Sequence, residues 1–299
     1  MADVPHIPPE GAVQLSRYGL LSATGDDARA FLHGQLTNDV QNLAPGHARF
    51  AGWCSPKGRL LASFLVVPRD AGLLLQVSGD LAAAVAKRLG MFILRAKAKL
   101  ADESTAWTQY GFWGPLAAAR LEALALPAPV GTMACATNAA GTVIALSADR
   151  FLVFSSSGIP GFTSTGSEAD WTLEEIRAGR PLITQATQDQ FVPQMANLEL
   201  VGGMDFKKGC YPGQEIVTRT QHRGLLKRRM YHVLADEPLQ DGQSLYSDDF
   251  PDQASGTVVN AVDREGLAVL QIGSVAQSAP VRVRPGGPAL EVLSLPYAL

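Results

Sequence analysis

Cysteine is scarce in this chain: three in 299 residues, Cys54, Cys135 and Cys210, far apart and with no C-x-x-C or histidine-rich cluster beside them. That argues against a disulfide framework and against a self-contained four-ligand zinc site, both of which need paired or closely spaced ligands. Positive charge is not in excess either. With 25 Lys+Arg against 28 Asp+Glu and a net charge of -3, the chain has no bulk attraction for nucleic acid or an anionic membrane. No apolar run reaches the ~18 residues that span a bilayer. The opening MADVPHIPPEGAV has neither the basic nor the apolar region of a secretory signal. The expected setting is a reducing cytoplasm, without membrane partners.

What is present describes a well-buried globule, 46% hydrophobic and only 18% charged. The length exceeds the usual single core, so two or three domains are expected. VQLSRYGLLSAT reads as a short strand turning at Gly25. DDARAFLHGQL places Ala28, Phe31, Leu32 and Leu36 on one helical face. RLLASFLVVP and GLLLQVS form a hairpin pattern around Arg69-Asp70-Ala71, and LAAAVAKRLGMFIL reads as a helix. AKAKLA, WTQYGFW, TVIALSA and RFLVFSS are strand-like, with a helix over 116–124. After the loop SSSGIPGFTSTGSE, WTLEEIRAGRP reads as a helix with a capping box at Thr172 and Glu175, stopped by Gly179 before Pro181. From Lys227 onward, six brief β-type runs divided by Gly, Pro and Asp predict a small antiparallel barrel or sandwich. The expected division is a mixed α and β region over 1–225 and an all-β end over 226–299.

One segment concentrates chemistry. In FKKGCYPGQEIV, Cys210 follows Lys207 and Lys208, and nearby cations favour the reactive thiolate. Gly209 allows close backbone approach or positive φ, and Pro212-Gly213 suits a type II turn. EIVTRT alternates like a strand, which would place the cysteine at its start. Most unpaired cysteines are simply small buried hydrophobes, and local chemistry alone leaves that alternative open. Cys54, with only Lys57 nearby, and Cys135, in an alanine-rich stretch, read as structural. Arg223, Lys227, Arg228 and Arg229 make a local basic cluster, but most such clusters are solvated faces and the net charge argues against direct tRNA binding.

The run from Gln190 to Gly224, QFVPQMANLELVGGMDFKKGCYPGQEIVTRTQHRG, resembles the YgfZ family, whose hallmark is K-G-C-Y-x-G-Q-E. Gly209, Cys210, Tyr211, Gly213, Gln214 and Glu215 carry that motif. FLHGQLTNDV, SPKGRLLASF, IRAGRP and the terminal LPYAL extend the likeness over nearly the whole chain. The family is the folate-binding, iron–sulfur-maintenance branch of the aminomethyltransferase superfamily that includes the glycine cleavage T protein. The resemblance implies an α+β fold, a three-lobed aminomethyltransferase-like body around a central channel with a C-terminal antiparallel β-barrel. It implies that tetrahydrofolate, or a one-carbon derivative, binds in that channel. It further implies cytoplasmic work with iron–sulfur enzymes or cluster-assembly proteins, supporting tRNA thiomethylation, with Cys210 as the functional thiol.

Folate needs a flat apolar or aromatic surface and a few polar groups along one pterin edge. Relatives in this branch present two tryptophans there, which fall on Trp171 and, as a departure, on Tyr18. Trp171 read without the resemblance is an ordinary core residue. The aspartate pair of aminomethyltransferases falls on Ala62 and Ser63, neither of which can act as a carboxylate base. Their pterin-clamping glutamate falls on Arg177, with Glu174 and Glu175 able to substitute only if the helix is turned differently. Aminomethyl transfer is therefore disfavoured, and a folate-dependent one-carbon transferase of changed substrate stands as the rival reading. For Cys210, redox exchange, transient iron ligation and capture of a reactive folate species all remain open. A lone cysteine cannot hold an iron–sulfur cluster, so any iron contact requires ligands from a partner or a dimer.

Overall fold

The computed structural model describes residues 8–69, 72–224, 226–250 and 253–299. Three antiparallel sheets organise it. The first runs in the order β1 (Gly11–Leu15), β7 (Thr108–Trp113), β10 (Arg150–Ser155), β9 (Thr142–Ala145) and β8 (Cys135–Thr137). The second runs β3 (Arg49–Cys54), β4 (Leu60–Arg69), β5 (Gly72–Ser78), β2 (Tyr18–Thr24) and β6 (Lys99–Asp102). The third is six-stranded: β15 (Val281–Arg282), β12 (Ser244–Ser247), β13 (Gly256–Val262), β14 (Glu265–Gln271), β11 (Arg228–Leu234) and β16 (Glu291–Leu293). It curls into the half-barrel at the C-terminal end, so each of the six brief runs supplies a strand of the expected barrel. The paired ends Arg69 and Gly72 confirm the hairpin, while its turn at Asp70 and Ala71 lies outside the described residues.

The second sheet is buried on both faces at β4, which is why that strand reads as a hydrophobic run interrupted only by Ser63 before Pro68. Alternate residues serve different cores. Ala62, Phe64 and Val66 of β4, with Leu73 and Leu75 of β5, join the core beneath helices α1 (Ala28–His33) and α2 (Ala82–Gly90). Leu65, Val67, Leu74 and Leu20 face the other way, onto the first sheet. The far face of the first sheet packs on α3 (Ala117–Ala123) through Phe112, Val153 and Leu121.

Several local expectations need correction. The segment 13–24 is not one strand: β1 pairs with β7 in the first sheet, whereas β2 pairs with β5 in the second. The change of sheet falls at Ser16-Arg17, where the Glu168 carboxylate accepts from both backbone N–H groups at 2.7 Å. Helix α2 stops at Gly90, leaving Met91, Phe92 and Leu94 exposed rather than helical. Helix α4 (Glu168–Arg177) begins earlier than its sequence suggests. Its capping box is Ser167 with Asp170, not Thr172 with Glu175, because Ser167 Oγ is free to accept from the Asp170 N–H. Gly179 ends the helix in the left-handed conformation, φ +64°, as expected. Finally, EIVTRT lies within helix α5 (Gln214–Arg223), not in a strand.

Candidate functional site

A row of residues across the second sheet builds the main crevice. Pairing sets Phe50 opposite Leu65, and Leu65 opposite Gln76. All three therefore stand on the face turned away from the α1 and α2 core, and all three line the crevice. Ser63 follows two residues from Leu65 on that face, whereas Ala62 points into the opposite core, fully buried. Of that pair, only Ser63 meets the crevice, and its Oγ accepts from the Ile183 N–H at 2.9 Å. Helix α4 closes the other side with Thr172, Glu175 and Ile176, followed by Arg180 to Leu182. The crevice is narrow, a cavity of about 50 Å³.

Tyr18 lines this crevice, at the point where the chain has just changed sheets. Burial raises its phenol pKa above the ordinary range, reinforced by the Glu175 carboxylate, so it stays neutral at physiological pH. Trp171 does not line the main crevice. It is 1% exposed and packs against Trp113 with the rings tilted at 53° and their centroids 6.3 Å apart, bordering only a small adjoining void with Tyr18 and Phe50. Gly111 makes this packing feasible, since a Cβ there would fall 2.3 Å from the indole. The helix rotation fixed by Trp171 decides the acids. Glu175 faces the crevice, paired with Arg150 and, at 3.4 Å, with Arg180. Arg150 also lies over the Trp171 ring at 5.2 Å, and Arg180 over the Phe50 ring at 5.5 Å. Burial brings the Arg180 pKa down to about 10, opposed by Glu175. Glu174, off to the side, is raised above the usual carboxylate range by burial.

Arg177 turns away from the crevice altogether. Its guanidinium grips Glu265 of β14 through two hydrogen bonds of 2.8 Å. His232 of β11 meets the same carboxylate at 2.8 Å. Arg177 is thus a tie between helix α4 and the C-terminal sheet.

The motif loop lies elsewhere on the same body. Cys210 is exposed, whereas Cys54 is buried and Cys135 half-buried. Burial pushes the Cys54 thiol up to about 12 and the Cys135 thiol up to about 11. Lys208 is buried and does not reach outward: its ammonium donates to the carbonyls of His33 at 2.6 Å, Leu36 at 3.0 Å and Gly209 at 3.2 Å. It thereby satisfies the carbonyl of the last residue of α1 and one in the turn that follows it. Lys207 is exposed. Gly209 needs neither positive φ nor close backbone approach, since a Cβ there would meet only His33 Nε2, at 3.8 Å. His33, whose Nδ1 stands 3.0 Å from Asp39, is the functional-type residue that sequence reading passed over, although FLHGQL displays it. Tyr211 is buried under the Lys208 ammonium, 4.9 Å from its ring centroid.

Tyr211 to Gln214 form the expected type II turn, with Gly213 at φ 78°, ψ 2° and Gln214 N–H donating to Tyr211 C=O at 3.2 Å. A Cβ on Gly213 would come within 2.4 Å of the Ser55 carbonyl, and one on Gly58 within 2.9 Å of Ile216 Cβ. The SPKG and PGQE stretches, remote in sequence, are packed backbone to backbone. Gln214 and the exposed Glu215 form the first turn of α5. Cys210 is not among the residues lining the crevice; the turn that contributes Leu198 and Val201 to it continues toward the thiol loop, held by Thr37 Oγ1 on the Gly203 carbonyl at 2.6 Å. Among the described residues no group of three or more His, Cys, Asp or Glu is placed to hold a metal ion.

The family profile described as the GCVT N-terminal domain matches residues 10–146. A tRNA-modifying protein YgfZ of Vibrio vulnificus (strain YJ016) is 30% identical over 75% of this chain and 70% of its own. One from Klebsiella pneumoniae (strain 342) is 29% identical over 95% of this chain and 92% of its own. The chain belongs to the YgfZ family. A crystal structure of the glycine cleavage system aminomethyltransferase T from Bartonella henselae superposes with a TM-score of 0.77 at 17% identity, over 96% of this chain and 86% of that one. That likeness establishes the fold. Within this chain, one member of the basic cluster turns inward: Arg229 pairs with Glu199 at 2.9 Å and donates to Asn197 at 3.0 Å. Lys227 is exposed, and the Arg223 side chain lies outside the described residues. No helix among the described residues is long and apolar enough to cross a membrane.

Proposed function

We propose that this protein binds folate in the Tyr18 crevice and supports the upkeep of iron–sulfur enzymes, with Cys210 as its working thiol. The observation that carries the folate reading is Glu175, a carboxylate that lines the same crevice as Tyr18 and Phe50 and is held there by Arg150 and Arg180. A pterin presents N–H donors along one edge and two flat faces. Glu175 accepts from that edge, as the glutamate of aminomethyltransferases is implied to do, while the aromatic rings take the faces. The residues present therefore fit tetrahydrofolate or a one-carbon derivative, provided the walls widen, since the open space is narrow. When bound, the folate supplies one-carbon chemistry. The chain's own groups orient it, keep Tyr18 as a neutral donor and exclude water.

The transferase reading has no comparable support. Ala62 is sealed in the core and the Ser63 hydroxyl is engaged by Ile183, so these positions offer no carboxylate at a reacting amine. For Cys210 the supporting observations are its exposure and the buried Lys208 charge in the same loop. A single thiol leaves the other ligands of any iron–sulfur site to a partner. The link to tRNA then runs through an iron–sulfur methylthiotransferase, and the inward pairing of Arg229 takes one cation out of the basic cluster near the end of α5.

The test is complementation. In cells lacking the protein, iron–sulfur enzyme activity and tRNA thiomethylation are measured after supplying the wild type or Cys210→Ser. The variant should behave like the deletion. Full activity with Cys210→Ser would remove the thiol from the mechanism.

A further inference from the structure

A second cleft shares no lining residue with the Tyr18 crevice. It opens where the end of β4, helix α1 and the β8–β9 turn converge, and about 740 Å³ of it is wide enough for the centres of water molecules. Its chemistry is one-sided. Among the described residues lining it there is no Asp or Glu, while two arginines, Arg29 and Arg69, contribute guanidinium groups. Arg29 spends a single donor on the protein, to the Leu43 carbonyl at 2.8 Å. Arg69 is exposed and lies over the Trp107 ring at 5.0 Å, with none of its N–H donors taken by a described hydrogen bond or ion pair. Glu103, whose carboxylate Arg69 attracts, lies outside the lining and is engaged by Ser22 Oγ at 2.6 Å and Trp107 Nε1 at 2.9 Å.

We propose that this cleft binds a phosphate ester of nucleotide size, with the phosphate between Arg29 and Arg69. Three considerations select that class. Two guanidinium forks on one space match a phosphate monoester, which offers three terminal oxygens and up to two charges, better than a carboxylate, which offers two oxygens and one charge. The cleft is far larger than a free phosphate and falls in the size range of small-molecule sites. Its remaining lining is neutral and carries the Trp107 ring, the Ser156 hydroxyl and the hydroxyls of Thr137 and Thr142, which are bonded to each other at 2.9 Å. The ligand is either a free nucleotide or the end of a nucleic acid strand, which share this chemistry.

Calorimetry on the full chain separates the cases, using AMP, adenosine and a short 5′-phosphorylated oligoribonucleotide. AMP should bind and adenosine should not. Arg69→Gln, at the exposed end of a strand, should weaken AMP by about tenfold or more, the loss expected for one charge-assisted hydrogen-bonding partner. Arg29→Gln should do the same, with tetrahydrofolate affinity and thermal midpoint of Arg69→Gln unchanged. An oligoribonucleotide binding well above AMP identifies a strand end as the ligand; equal affinities identify the free nucleotide. Absence of binding by both at millimolar concentration, or binding untouched by Arg69→Gln, overturns the proposal.

Discussion

The phenol of Tyr297 donates to the carbonyl of Gly179 at 2.7 Å, joining the last residues of the chain to the end of helix α4. Gly179 takes φ +64°, and a Cβ there would fall 2.5 Å from the Tyr297 hydroxyl. Both conditions demand glycine. Tyr297→Phe should lose this hydrogen bond, about 0.5–1.5 kcal/mol, together with the long one that its hydroxyl accepts from Asn197 Nδ2 at 3.5 Å. Gly179→Ala should lose more, since the left-handed backbone and the collision act together. Urea unfolding of the two variants checks the order; equal stability of Gly179→Ala and wild type would show that the tail does not pack on this turn.

The Arg177–Glu265–His232 tie predicts a pH dependence. Glu265 is fully buried; burial alone would raise its pKa, but the Arg177 and His232 hydrogen bonds win and hold the carboxyl down at about 2. A depressed carboxyl pKa stabilises the fold above the unfolded value near 4.5, and that contribution fades as pH falls toward 2. The difference corresponds to at most about 3 kcal/mol. Glu265→Gln should therefore be less stable than wild type at pH 6, with the gap much reduced at pH 2.5. Denaturant midpoints at the two pH values measure it. A gap that stays constant with pH would show that the charge of Glu265 does not contribute.

The sequence exposes what is set locally and hides what is set across space. The C-terminal strands were legible because Gly, Pro and Asp divide β-branched runs, and the Pro212-Gly213 turn because its residue types leave few conformations. Alternation in EIVTRT misled for the opposite reason: Val217 is buried and its carbonyl accepts from Gln194 Nε2 at 2.8 Å, so tertiary contact outweighs β-propensity. The break at Ser16-Arg17 depends on Glu168, far along the chain, and leaves no local mark. The site divides in the same way. The exposed thiol loop announced itself by motif, whereas Glu175 became a crevice residue only through the rotation that Trp171 imposes by lying on Gly111. Sequence also could not tell that Lys208 would be spent on carbonyls at the end of α1 and in the turn that follows it.

Tyr18 and Trp171 should separate binding from folding. Tyr18→Ala removes a wall of the crevice and should weaken tetrahydrofolate by about 0.5–1.5 kcal/mol beyond lost burial. Trp171→Ala empties a fully buried site and should destabilise the protein by about 3–5 kcal/mol. Glu175→Gln should weaken folate further, because it removes the charge that accepts from the pterin edge, about 1.5–3 kcal/mol. Calorimetry reports the affinities and thermal unfolding the stabilities. Wild-type affinity in both Tyr18→Ala and Glu175→Gln would place folate outside this crevice.

Thiol reactivity tests the functional assignment of Cys210 most directly. Alkylation needs both access and thiolate. Cys54 lacks both, being buried with its pKa pushed up to about 12. Cys135 is half-buried, and its pKa of about 11 leaves on the order of one thiolate in a few thousand at pH 7.5. Cys210 is exposed beside the Lys208 charge and the His33 imidazole near Gly209. Iodoacetamide at pH 7.5, followed by mass spectrometry of each peptide, should label Cys210 first, Cys135 much more slowly and Cys54 only on unfolding. His33→Ala should slow Cys210 if the imidazole assists the thiolate, and Lys207→Gln should slow it if the exposed cation does. A Cys210 that reacts no faster than Cys135 would show that the loop does not activate its sulfur, whatever its exposure.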